Sequence, residues 1–156
     1  MVTTARAKTS STADLDLGET AARLRLAVTR LARRLRQEST TGHTPSQLSA
    51  LAVVVNHGPL TLGALADHER VAPPSITKLV TKLEADGLVA RTPDPTDGRV
   101  THVTATKAGT DLIAETRRRK TTWLAARLRD LPAEEQARIA DALDVLEHLT
   151  QQDSLP

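Results

Sequence analysis

Residues 61–99, TLGALADHERVAPPSITKLVTKLEADGLVARTPDPTDGR, constrain this chain more than any other stretch. Apolar positions recur at helical spacing on both sides of a Pro-Pro pair: Leu62, Leu65 and Ala66 before it, Ile76, Leu79, Val80 and Leu83 after it. The pattern predicts one helix ending near Arg70, a turn holding Pro73 and Pro74, and a second helix stopped by Gly87. Burying the second aliphatic stripe leaves Ser75, Thr77, Lys78, Thr81 and Lys82 outside, so hydroxyl and ammonium groups share one flank. Leu88 to Arg91 then alternates as a strand. Val100, His102 and Thr104 alternate likewise beyond the loop, which predicts a two-stranded hairpin with a stiff Pro/Asp/Gly tip.

A helix, a turn, a second helix with a polar flank and then a hairpin describe a winged helix-turn-helix, which lays its second helix in the DNA major groove. The surrounding chain is helical too. A mobile tail is expected over residues 1–13, and then an N-terminal helix within 14–43, starting near Asp14 unless Gly18 delays it, with Leu24, Val28, Leu31 and Leu35 on one seam. Its many arginines either meet water or lie near phosphates. Thr44-Pro45 opens the next helix, carrying Leu48, Leu51, Ala52, Val54 and Val55, and Leu60 before the cap residue Thr61 suits a short strand edge. The reading module thus covers 44–106. Within 107–156 a helix begins at Thr106 despite Gly109, with Leu112, Ile113, Thr116, Trp123, Leu124 and Leu128 as its buried face. After the break at Leu131-Pro132, a last helix carries Ile139, Leu143, Leu146 and Leu149. The expected fold class is mainly α with a small β-hairpin wing, flanked by N- and C-terminal helices.

Composition excludes several other functions. The chain has 156 residues, enough for a real core, but its only aromatic residue is Trp123, so that core must be Leu, Val, Ile and Ala. Single-strand binding by base stacking needs aromatic platforms and is disfavoured. With no cysteine, disulfides, thiolate metal sites and thiol redox sensing are excluded. The glycines are scattered, without a phosphate-binding loop, and no nucleophile-base set or paired-carboxylate site stands out; an enzyme is not expected. No cofactor is implied. His57, Asp67 and His68 are close in sequence, but no histidine pair stands at i, i+4 spacing, so solvated or capping histidines are favoured over a metal site. No apolar run reaches the roughly 20 residues of a membrane span and no hydrophobic segment follows Arg6 and Lys8, so a cytoplasmic protein without membrane contact is expected.

Net charge is only +2, and its distribution is informative. Residues 1–43 carry eight Lys/Arg against four Asp/Glu, whereas residues 44–106 carry five against six. DNA binding by that module therefore demands geometry: Lys78, Lys82, Arg91 and Arg99 on one surface, acids turned away. The terminal helices also need a partner surface. They can pair within one chain, but two interlocking copies bury more and give two-fold symmetry, so a dimer through Leu24, Val28, Leu31, Ile139, Leu143 and Leu146 is the expectation.

Over roughly Leu15 to Leu149 the chain resembles MarR-type transcriptional regulators. The resemblance is carried by Thr44-Pro45-Ser46-Gln47-Leu48, by Leu62-Gly63-Ala64-Leu65-Ala66 and by Ser75-Ile76-Thr77-Lys78-Leu79-Val80 with Leu83-Glu84, Gly87-Leu88-Val89 and Arg91. Most specific is Asp94-Pro95-Thr96-Asp97-Gly98-Arg99 followed by Val103-Thr104-Ala105-Thr106-Lys107-Ala108-Gly109. It implies a homodimer on a near-palindromic double-stranded operator, often a repressor released by a small phenolic or other lipophilic acid. Ser75, Thr77 and Lys78 match positions that meet bases and phosphates. Lys82 is a phosphate contact or merely solvated, and Pro74 either starts the helix or touches a thymine methyl. Arg99 matches the wing arginine at the minor groove, with Asp97 holding it or the loop in shape. Gly98 replaces a basic residue found in many relatives. The competing reading is a winged helix used only for protein-protein contacts.

Overall fold

The computed structural model describes residues 16–38, 41–97 and 100–151. It divides into two compact units, Met1–Arg34 and Leu35–Pro156. Helix α1, Leu17–Gln37, makes up nearly all of the described part of the first. Asp16 is its cap: its Oδ1 accepts from the amides of Gly18 (2.9 Å) and Glu19 (3.1 Å). The tail expected over 1–13 and the start expected near Asp14 lie outside the described residues, and Gly18 sits in the first turn rather than postponing it. No residue of α1 is buried; Leu24, Val28 and Leu31 are 36–54% exposed.

In the second unit, local signals set each boundary. Helix α2, Pro45–His57, opens with a capping box in which the Gln47 amide donates to Thr44 Oγ1 and the Thr44 amide to Gln47 Oε1. Strand β1, Leu60–Thr61, runs into α3, Leu62–Glu69, where Thr61 Oγ1 accepts from the Ala64 amide. Arg70 closes α3 in the left-handed region (φ 52°). Helix α4, Pro73–Ala85, begins with the two prolines themselves, which belong to its first turn rather than to the preceding one. It ends in a Schellman motif, the amides of Gly87 and Leu88 donating to the carbonyls of Glu84 and Leu83, with Gly87 at φ 71°.

Strands β2, Val89–Pro93, and β3, Thr101–Ala105, pair antiparallel, and β1 adds to the far side of β3, giving the order β1-β3-β2. Val103 of β3 is the residue that faces the core, fully buried opposite Arg91. The alternating set Val100, His102 and Thr104 is therefore the outward one. Directly paired residues share a face of the sheet, so Arg91 also lies on the inner side, toward α4.

The core joins Leu51 and Val54 of α2, Leu65 of α3, Ile76, Val80 and Leu83 of α4, Val89, Val103 and Ile113. It is wholly aliphatic, as a chain with one aromatic residue requires. Helix α5, Lys107–Arg129, is capped by Thr106, whose Oγ1 accepts from the Gly109 amide and donates to the Gly87 carbonyl. Only the N-terminal half of α5 packs tightly: Ile113 and Thr116 are buried, while Leu112, Trp123, Leu124 and Leu128, expected on the same buried face, are half-covered. At 23 residues α5 is about 35 Å long. Helix α6, Ala133–Gln151, buries no residue; Ile139 and Leu143 are 39% and 49% exposed, and Leu146 is half-buried. No described helix is long and apolar enough to cross a membrane.

Candidate nucleic-acid interface

Pro74, Ser75, Thr77, Lys78, Thr81 and Lys82 are all exposed along α4 while Ile76, Val80 and Leu83 of the same helix are buried. The flank is held in shape by its own backbone. Ala72, the residue before the helix, offers no side-chain cap, but Pro73 and Pro74 have no N–H to satisfy and the Ser75 amide donates to the Ala72 carbonyl. Thr77 Oγ1 donates to the Pro73 carbonyl (3.0 Å) and Thr81 Oγ1 to the Thr77 carbonyl (2.9 Å). With its proton committed to the helix, the Thr77 hydroxyl offers lone pairs outward, which suits the amino groups of adenine or cytosine.

The cations differ in availability. Lys82 Nζ lies 3.0 Å from Asp86 Oδ1, a carboxylate whose other oxygen is 3.6 Å from His43 Nε2. Arg91 is more constrained: one Nη donates to Thr81 Oγ1 (2.9 Å) and the other is 3.4 Å from Glu84. Its inward register explains this, and the guanidinium clips β2 to the C-terminal half of α4 at the edge of the flank. Lys78 stands in the middle of the flank with no acid within ion-pair distance among the described residues.

In the wing, sequence reasoning pointed to Asp97 and Arg99. Gly98 and Arg99 lie outside the described residues; the Asp97 carbonyl accepts from the Val100 amide (2.9 Å). The residue that gathers the loop is Asp94. Its Oδ1 accepts from the Thr96 amide (2.7 Å), the Thr96 hydroxyl and the Asp97 amide (3.0 Å), while Oδ2 lies 2.9 Å from His102 Nε2. The Thr96 hydroxyl, then His102, then the two amides hold this carboxyl well below the usual carboxylate range. An ionised carboxylate only accepts, so Nε2 must carry the proton. The Asp-Pro-Thr-Asp run was a signal for such an Asx-type turn; His102 could be found only once the register set it opposite Thr92.

A depressed folded-state pKa means that the clasp is fully formed above the ordinary carboxylate value, near 4, and is lost only as pH falls through the lower folded value. In an NMR pH titration the Thr96 and Asp97 amides should hold their shifts through pH 4. A midpoint at the ordinary value would show that Asp94 is not so held.

Two other features lie away from this flank. His57 and His68 stack with centroids 5.1 Å apart, and no described group of three His, Asp or Glu residues could hold a metal. An open groove of about 440 Å³ on α5 is lined by Glu38, Glu115, Arg118, Arg119, Thr122 and Trp123. Arg119 and Arg118 both bond Glu115 and lower its pKa.

The model of the MarR family matches residues 43–101, the span from the turn before α2 through the wing. An HTH-type transcriptional regulator of Mycobacterium tuberculosis is 42% identical over 124 residues, 79% of this chain and 87% of that one. A MarR family protein from Bacillus stearothermophilus, of known structure, superposes with a TM-score of 0.73 at 29% identity, covering 86% of this chain and 94% of that one. A point mutant of Staphylococcus aureus MepR, solved bound to an oligodeoxyribonucleotide, shares the fold at a TM-score of 0.68 and 20% identity, over 83% and 97% of the two chains.

Proposed function

The chain belongs to the MarR family of transcriptional regulators, and from that premise we propose that it represses transcription in the cytoplasm by binding a near-palindromic duplex operator as a homodimer. The observation that carries the reading is the outer flank of α4, where Ser75, Thr77 and Lys78 stay clear of the protein's own core. Two such flanks joined by a symmetric body match a two-fold operator. The exposed aliphatic positions of α1 and α6 supply a surface for that joining. MepR, with the same fold, was solved on DNA.

Release by a small phenolic or other lipophilic acid belongs to the same reading. The α5 groove falls in the size range of small-ligand sites, and an aromatic carboxylate there would meet Trp123 and compete with Glu115 for Arg118 and Arg119. Titrating such acids into the protein-DNA complex checks it.

The pre-paired state of Lys82 and Arg91 favours the rival, a winged helix that contacts only proteins. Selecting bound fragments from random and genomic DNA, then measuring their affinity across a salt series, decides between them. The regulator reading expects log K to fall steeply with log salt; the rival expects no duplex affinity. Lys78→Ala should cost about 1–3 kcal/mol of operator binding if the ammonium reads a base, and a smaller, sequence-independent loss reassigns it to the backbone.

A further inference from the structure

Asp94 holds both sides of the wing loop with one carboxylate. Oδ1 gathers the tip through Thr96 and Asp97, and Oδ2 reaches back across the hairpin to His102 in β3. The loop closes above it through two backbone bonds, the Asp94 amide to the Val100 carbonyl and the Val100 amide to the Asp97 carbonyl, at 2.8 and 2.9 Å. His102 is itself fixed, since it pairs with Thr92 on one side and Thr61 on the other. Its Nδ1 is buried without a partner among the described residues, so the ring is turned to serve Asp94 alone.

We propose that Asp94, anchored by His102, is the positioning residue of the wing: its hydrogen bonds set the path of residues 94–97 and their closure on Val100, and through that path the wing's contribution to operator affinity. The inference rests on the DNA-binding reading. It places a negative charge at the root of a DNA-facing loop, where long-range electrostatics alone would weaken binding. That conflict gives a test by sign. A carboxylate that acts only through its charge must be repulsive, and removing it must tighten binding. A carboxylate that acts through its hydrogen bonds must weaken binding when truncated.

The test uses the full chain and the selected duplex, with Asp94→Ala and Asp94→Asn. Ala removes charge and acceptors together, whereas Asn removes the charge but keeps an oxygen for the Thr96 and Asp97 amides. Asp94→Ala is expected to weaken operator binding about tenfold, one well-placed contact's worth, and Asp94→Asn to lose less, since it keeps the oxygen for the two amides and gives up the Oδ2 acceptor for His102 Nε2. In free protein, amide hydrogen exchange at Thr96 and Asp97 should accelerate in the Ala variant and not in the Asn variant. The Ala loss should vanish on a duplex trimmed to the base pairs that the α4 helices cover.

Unchanged or tighter binding by Asp94→Ala overturns the inference. So do equal losses for Ala and Asn, which would show that the Thr96 and Asp97 amide bonds that Asn keeps do not set the affinity, and an Ala loss that persists undiminished on the trimmed duplex. Failure of the underlying reading shows separately: the unsubstituted chain would then lack salt-dependent duplex affinity before any variant is made, and the positioning role would fall with it.

Discussion

Leu143→Asp combined with Leu146→Asp is expected to yield a monomer that keeps its fold and loses operator affinity by at least about a hundredfold, the low end of what linking two sites contributes. Leu143 is half exposed and Leu146 half-buried on α6, and α6 supplies no residue to the aliphatic core. The substitutions therefore leave the reading module's packing alone. In a shared helical interface each carboxylate would lose water without gaining a partner, at a cost of several kcal/mol. A monomer still presents α4, but it engages one half-site at a time, so the second contact becomes a separate bimolecular event. Sedimentation and duplex titration measure the two effects independently. Variants that stay dimeric would remove α6 from the interface, and monomers with undiminished affinity would remove two-fold recognition from the mechanism.

How far such features can be read from the chain depends on how local their causes are. The starts of α2 and α3 and the end of α4 were legible because Thr44 with Gln47, Thr61, and Gly87 each satisfy orphan helix groups within a few residues. The free flank at Ser75, Thr77 and Lys78 followed from helical periodicity alone. The face of β3 did not, because Val100, His102 and Thr104 alternate as regularly as Thr101, Val103 and Ala105, and only pairing with β2 puts Val103 inside. That pairing also turns Arg91 inward, toward Glu84 and Thr81, where the sequence suggested a cation directed at DNA. Asp94 was hidden by the same kind of dependence: its partner His102 is eight residues away and reaches it across a hairpin.

Gly109 shows the same limit in energetic form. On helical propensity it is a weak point in the first turn of α5, and replacing it with Ala should gain up to about 1 kcal/mol. The structure reverses that sign. A Cβ built on Gly109 would stand 2.1 Å from the Leu88 carbonyl oxygen and 3.1 Å from Leu51 Cδ1. The Leu88 oxygen cannot yield easily, since it accepts the Thr106 amide at 3.0 Å and lies just past the turn that ends α4. Gly109→Ala must therefore push the start of α5 off the end of α4, and is expected to destabilise the fold by about 2 kcal/mol or more, in the range of core overpacking. Gly63→Ala in α3 is the matched control: its Cβ would meet nothing closer than Thr61 Oγ1 at 3.9 Å, so propensity should prevail and stability rise by about 0.5–1 kcal/mol. Urea unfolding of the two variants should give shifts of opposite sign. A stabilised Gly109→Ala would mean that α5 does not dock against Leu88, and that the junction between α4 and α5 is looser than this packing requires.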